Sequence, residues 1–416
     1  MKILVISNIF PPGFIGGYEL GAFDVTKKLF AAGHDILVLT SDYFVDKYSV
    51  HAELNVSRTL NCDSLSHEII RGDIVSQLYY SFRNIRVIGS SLRQFDPDVV
   101  LTFNLMGLGV LSIIQYLQKL RIPSVIYLMD NIFSGLDIRS PLHKLYEKTF
   151  GKFLLDDSTG IISMSKVVSD EVGANLGIEL KNVTYVPGWV DFDPSKKTPI
   201  FPRANGVTNF VFCSRVAQHK GIDIVIDSVD YLVNNGHKNF HVDIYGAGQV
   251  SSVLQRVKAK DLDDYISYQG LLAKDEMLPR LNSYDSLVFP TWEREPFGFV
   301  ASEAAVAGCY PIMTGGIGAS EWFLDGHDCF KISRTCESLS DAMLQVILWS
   351  EEELLQRRIV TQNGARKNFI FDRWFSVIEK VCFDACQHKR LNPSAIDSQA
   401  AESAFLYLNT LFSEAR

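Results

Sequence analysis

Thr291 to Met313, "TWEREPFGFVASEAAVAGCYPIM", sets Glu293, Glu295 and Glu303 around a small glycine turn. A helix that starts near Gly298 and runs to Ala307, with Gly308 as its terminator, presents the N–H groups of Phe297 to Val300 at its positive end. An anion belongs there. Glu295 stands just before this helix. Glu303 lies about a turn and a half inside, its side chain tilted back toward the N-terminus by the direction of helical Cα–Cβ bonds. Both carboxylates therefore flank one bound molecule. A bare carboxylate repels a phosphate, so the pair is better suited to accept hydrogen bonds from hydroxyls, Glu303 from a ribose and Glu295 from a second sugar. A helix-cap acid or a solvated surface glutamate is the ordinary explanation for either one taken alone. Glu293 is read as a bystander.

The surroundings of this stretch alternate strand and helix. "FVFC", "FHVDIYG", "DSLVFP" and "YPIM" read as strands, with Ile222 to Leu232 as a helix among them. The N-terminal half has the same rhythm. "KILVIS" and "DILVLTS" are strands around a helix from Tyr18 to Ala32, which places Leu20, Phe23, Leu29 and Phe30 on or near one face and ends at Gly33. "DPDVVLTF", "IPSVIYLMD" and "TGIISMS" continue the pattern, with Leu108 to Leu120 as a helix. Between the halves lies "GWVDFDPSKKTPIFPRANGVTN", proline-bearing and weakly periodic, which reads as the linker. The division expected is 1–190, a linker at 191–208, a second domain at 209–370 and a helical C-terminal segment at 371–416 that packs back on the first domain. Each domain is an α/β, doubly wound, Rossmann-like parallel sheet. Ligands of such sheets bind outside the carboxyl ends of the strands, so two of them facing each other make a cleft lined by strand-end loops.

Composition agrees with a folded chain and excludes some partners. A chain of 416 residues is too long for one ordinary core, and 47 % hydrophobic with 21 % charged residues leaves no case for wholesale disorder. The formal charge of -8 and the absence of a basic, aromatic-rich stripe argue against nucleic acid. The opening "MKILVISNIFPPG" is too short an apolar run for a signal peptide or a membrane span, so a cytoplasmic chain is expected. Cys62, Cys213, Cys309, Cys329, Cys336, Cys382 and Cys386 are odd in number and lack C-x-x-C spacing, so they read as reduced thiols. Cys382 and Cys386, one helical turn apart, read as core or half-buried helix positions rather than metal ligands.

Other strand-end loops qualify for chemistry. "NIFPPGFIGGYEL" carries Gly16 and Gly17 at a helix mouth, where a phosphate or sugar hydroxyl fits as well as an ordinary turn does. "CSRVAQHKG" projects Arg215 and Lys220, two cations able to bracket a diphosphate, against the usual reading of a surface pair. "YGAG" brings Gly246 after a strand, for close approach to a nucleotide or for a tight turn.

Taken together these residues resemble the retaining nucleotide-sugar glycosyltransferases of family 4, which have the two-domain GT-B fold. The match is carried by "PPGFIGGYELGAFDVTKKLFAAGHDILVLT", "VPGWVD", "SRVAQHKG", "YQGLLAKDEMLPRLNSYDSLVFPTWEREPFGFVASEAAVAGCYPI" and "FDRWFSVIEKV", and E-P-F-G-F-V-A-S-E is its most specific part. The resemblance implies that Arg215 and Lys220 neutralise the donor diphosphate, that Glu303 binds the ribose, and that Glu295 with the amides of Phe297, Gly298 and Phe299 holds the donor sugar. It sets Gly16 and Gly17 toward the diphosphate and acceptor, and the backbone near Leu271 and Leu272 by the base. It implies transfer of a hexose from a nucleotide diphosphate sugar to a glycan or lipid-linked acceptor, with retention and without a metal or cofactor.

Many members carry a His at the strand ends of the N-terminal half. "LTFNLMG" and "YLMDNIFSG" have none, so Asn104 and Asp130, with Glu19, are the acceptor-side candidates. Asp130 reads as a general base or as a cap. Asp191 and Asp193 form a D-x-D that chance explains in a chain with 48 acids. "HKLYEKTFGKFLL" sets Lys144, Lys148 and Lys152 on one helical edge, either an ordinary solvated edge or a peripheral membrane contact. The competing functions are a GT-B nucleotide-sugar epimerase and a nucleotide-sugar-binding partner protein without turnover.

Overall fold

The computed structural model describes residues 1–43, 53–62, 74–133, 159–196, 198–203 and 206–388. The segment around Lys144, Lys148 and Lys152 and the chain end beyond residue 388 lie outside the described residues. By internal contacts the chain divides into Met1–Val186 with Trp374–Arg416, and Pro187–Arg373.

The first unit is built on a seven-stranded sheet of β1 (Lys2–Ile6), β2 (Asp35–Ser41), β3 (Asn55–Leu60), β4 (Val99–Thr102), β5 (Ser124–Leu128), β6 (Thr159–Ser163) and β7 (Val183–Tyr185). The order is β3-β2-β1-β4-β5-β6-β7 with parallel pairing throughout. β4 and β5 are buried along their whole length. That explains why their sequences read as continuous apolar runs rather than alternating ones.

The helix Gly17–Ala31 buries Leu29 and partly buries Leu20 and Phe23, as the sequence suggests, but not Phe30. Ala22, Val25, Thr26 and Leu29 are buried, whereas Phe30 is 43 % exposed. Phe30 follows Leu29 by one residue, a rotation of about 100°, which carries it past the stripe. The helix Phe371–Cys386 buries Ile378, Cys382 and Ala385, and its Glu379 meets His34 Nε2 at 2.7 Å. Cys382 is buried and Cys386 partly so, both as free thiols.

The second unit has a six-stranded parallel sheet of β8 (Thr208–Cys213), β9 (Phe240–Tyr245), β10 (Ile266–Gly270), β11 (Ser286–Phe289), β12 (Tyr310–Thr314) and β13 (Phe330–Ile332), in the order β10-β9-β8-β11-β12-β13. In this sheet the strand order reverses between β8 and β11, which are hydrogen-bonded neighbours. The loops leaving such a pair go to opposite faces and open a crevice at the sheet's carboxyl edge. The reversal in the first sheet falls between β1 and β4. There Asn8 donates from its backbone N to Asn104 O at 2.6 Å and from Nδ2 to Met106 O at 3.0 Å.

Among the described residues no helix is long and apolar enough to cross a membrane.

Candidate functional site

The helix of the opening stretch spans Phe299–Ala307, bounded by Gly298 at φ 95° and Gly308 at φ 84°. A side chain at Gly298 would be strained by that φ and would also meet the Phe289 ring at 2.9 Å. The helix is short and rich in alanine, and it buries Ala301, Ser302 and Ala304 through Ala307. Its first N–H groups have no partner within the helix, as at every helix start.

Arg358, 2 % exposed, holds the far end of this helix. It donates to Gly308 O at 2.7 Å, to Asn282 O at 3.0 Å and to the Asp285 carboxylate at 3.0 Å. Burial pushes the Asp285 carboxyl up and the Arg358 guanidinium down, each partly offset by the other's charge.

At the crevice between β8 and β11, two sequence candidates meet directly. Lys220, at the end of the short turn Gln218–Lys220, forms an ion pair with Glu295 Oε2. Only 17 % and 14 % of the two side chains are exposed. Thr291 Oγ1 donates to the same Oε2 at 2.9 Å. Both bonds land on one oxygen, so Oε1 is left for another donor. Arg215 sits exposed in the loop after β8. His219 lies beside Trp292, and its imidazole is held below the ordinary range by burial and then by the charges of Lys220, Arg215 and Arg334, against Glu295.

Glu303 faces a cavity of about 690 Å³, within the usual size for small-molecule sites. Lys274, Met277, Leu278, Asp191, Asp193 and Arg366 also line it. Burial pushes the Glu303 carboxyl up to about 7, with the Lys274 ammonium opposing. The two glutamates thus occupy different environments. Glu295 is held by a cation, and Glu303 is a half-buried residue of the cavity wall. Glu293 is exposed.

Phe297 is buried against Phe299 and Phe369, so its ring serves packing, and its backbone O accepts from Ala319 N at 2.7 Å. Leu271 is 73 % exposed just after β10, and Leu272 is partly buried. Gly246 has a different explanation from approach to a nucleotide. A Cβ there would stand 1.8 Å from Ser214 O, so the glycine lets the loop after β9 lie against the backbone of the loop that carries Arg215.

In the first unit, Gly16 caps the helix Gly17–Ala31 and a Cβ on it would meet nothing within 4 Å. Glu19, 3 % exposed, accepts from Gly16 N at 2.9 Å and Ile15 N at 3.2 Å, so its carboxylate is engaged as a capping-box group. Asn104 Oδ1 accepts from Met106 N at 3.1 Å. Asp130, at the carboxyl end of β5, accepts from Asn131 N at 2.6 Å. That bond is to the very next residue, not to an amide two or three residues on as in a helix cap, so it is a local contact within Asp130–Asn131.

Comparison with known proteins bears on these same segments. The model described as "Glycosyltransferase Family 4" matches residues 15–194, and that described as "Glycosyl transferases group 1" matches residues 207–348. The chain is a family 4 glycosyltransferase of the GT-B fold. The glycosyltransferase is 24 % identical over 334 residues to a glycogen synthase of Mycobacterium tuberculosis, covering 76 % of this chain and 78 % of that relative. A glycosyltransferase from Rickettsia africae shares its fold with a TM-score of 0.72 at 15 % identity, over 93 % of this chain and 100 % of the other. Anabaena Alr3699/HepE, in complex with UDP-glucose, superposes with a TM-score of 0.62 at 17 % identity, over 91 % and 98 % of the two chains.

Thr291, His219, Lys274 and Arg334 were not singled out in the sequence of this glycosyltransferase. Arg334 follows "FKI", a strand of three residues, so the rule that pointed to strand-end loops applied to it as well.

Proposed function

We propose that this glycosyltransferase moves a hexose from a nucleotide diphosphate sugar to a hydroxyl of a glycan or lipid-linked acceptor, with retention of anomeric configuration. The observation that carries the reading is the Lys220–Glu295 pair, with Glu295 beside Gly298 at the mouth of the helix Phe299–Ala307, at the switch point of the second sheet.

Breaking the bond between sugar C1 and phosphate oxygen leaves negative charge on the diphosphate and positive charge on the sugar ring. Lys220 has three N–H donors and gives one to Glu295, so two remain for phosphate oxygens. Arg215 and the unpaired helix amides add to the same stabilisation, which acts most strongly where charge develops. Glu295 Oε1 takes a hydroxyl of the sugar, and the Glu303 carboxyl accepts from the ribose hydroxyls. As C1 leaves the phosphate, the acceptor oxygen bonds to it on the same face and the hydroxyl proton passes to the departing phosphate oxygen. Charge neutralisation in this scheme needs no metal. The strand-end loops of the first unit, with Gly16, Gly17, Asn104 and Asp130, are assigned to the acceptor. A cytoplasmic location, with peripheral membrane contact for a lipid-linked acceptor, goes with this reading. The UDP-glucose bound by the Anabaena neighbour supports a donor of this class.

Release of nucleoside diphosphate from UDP-glucose, UDP-galactose, UDP-N-acetylglucosamine, GDP-mannose and ADP-glucose tests the proposal. At least one donor is turned over, and Lys220→Ala and Glu295→Ala each lower kcat/KM for it by about 10²–10³-fold. Tight nucleotide binding without turnover on any donor would instead mark a binding protein.

A further inference from the structure

Arg334 lies just past β13, at the carboxyl edge of the second sheet. Its Nη2 donates to Gln218 O at 2.6 Å, an oxygen that also closes its own turn by accepting from Gly221 N at 2.9 Å. The next residue, His219, accepts through its backbone O from Trp292 N at 2.9 Å. The residue after that is Lys220, paired with Glu295. Consecutive residues of one short turn are thus each tied to another loop, Gln218 to the loop after β13 and His219 and Lys220 to the loop after β11.

Among the described residues no carboxylate pairs with Arg334. A lone surface arginine with one backbone contact would be unremarked. This one grips the turn that aims the ammonium, and its charge reaches His219. A hydrogen bond from a charged donor is among the stronger kinds, and an ammonium displaced by about 1 Å loses much of its effect on a transition state.

We propose that Arg334 is a positioning residue for transfer, holding the Gln218–Lys220 turn so that Lys220 Nζ is directed at the diphosphate leaving group. The inference rests on the diphosphate reading of Lys220 given above. It predicts an effect transmitted through Lys220 and expressed in kcat more than in donor KM.

A double-mutant cycle tests it, read as release of nucleoside diphosphate from whichever of the five nucleotide sugars the wild-type chain turns over fastest, alongside melting temperatures. Arg334→Ala should lower kcat about tenfold or more, with donor KM within about threefold, and Arg334→Lys should recover activity to within about threefold of wild type. In the Lys220→Ala background, Arg334→Ala should cost less than about twofold. A full tenfold loss in that background, unchanged activity in Arg334→Ala, or a loss that only follows a lowered melting temperature would each overturn the positioning role. If Lys220→Ala itself leaves turnover intact, or no donor is turned over, the diphosphate reading fails and the inference with it.

Discussion

Glu303 sits in the cavity wall as a carboxyl held up near pH 7 by burial. The fold favours its protonated form. That contribution is full below the ordinary value of 4.5 and is lost as the pH rises through about 7. Glu303→Gln, which mimics the protonated form, should therefore melt above the wild-type protein by a small margin at pH 5 and by several degrees at pH 8, at roughly 2–4 °C for each kcal/mol in a domain of this size. Melting curves across that range check it, and a difference that stays flat with pH contradicts the assignment. Glu303 and Glu295 were legible in the sequence because a glycine-bounded helix after a strand fixes where both lie. Their difference in environment was not, because the cavity wall and the Lys220 partner come from residues distant in the chain. Gly246 shows the same limit. Its need for a bare Cα is set by Ser214, which adjoins it only once β8 and β9 pair.

The helix Phe299–Ala307 has its mouth at the crevice and its far end on a buried arginine. Arg358 satisfies carbonyls of Gly308, Asn282 and Phe201 as well as the Asp285 carboxylate. Removing it would leave a buried charge and several buried oxygens unpaired. Arg358→Ala should cost about 3–5 kcal/mol of stability, seen as a lowered denaturant midpoint. A change within about 0.5 kcal/mol would show that the network is not what holds the helix end. Most elements were legible, since Gly298 and Gly308 punctuate this helix and the apolar runs of β4 and β5 announce buried parallel strands. The face of the first helix was so only in part. Its inward stripe is made of Ala22, Val25, Thr26 and Leu29, so reading by side-chain size placed Phe30 wrongly.

Over the whole molecule, two parallel sheets reverse their strand order once each, between β1 and β4 and between β8 and β11. The paired cation and carboxylate, Lys220 and Glu295, stand at the second reversal. The alternation of strands and helices made both sheets readable from the sequence, but the strand order that brings the loops after β8 and β11 together appears only in the folded chain. Transfer with retention from a nucleotide sugar can be read by proton NMR of the first sugar released when an α-linked donor is turned over onto water. With retention the α-anomer appears first and the β-anomer only later, by mutarotation. A β-anomer at the earliest time points would mean inversion and overturn the retaining mechanism.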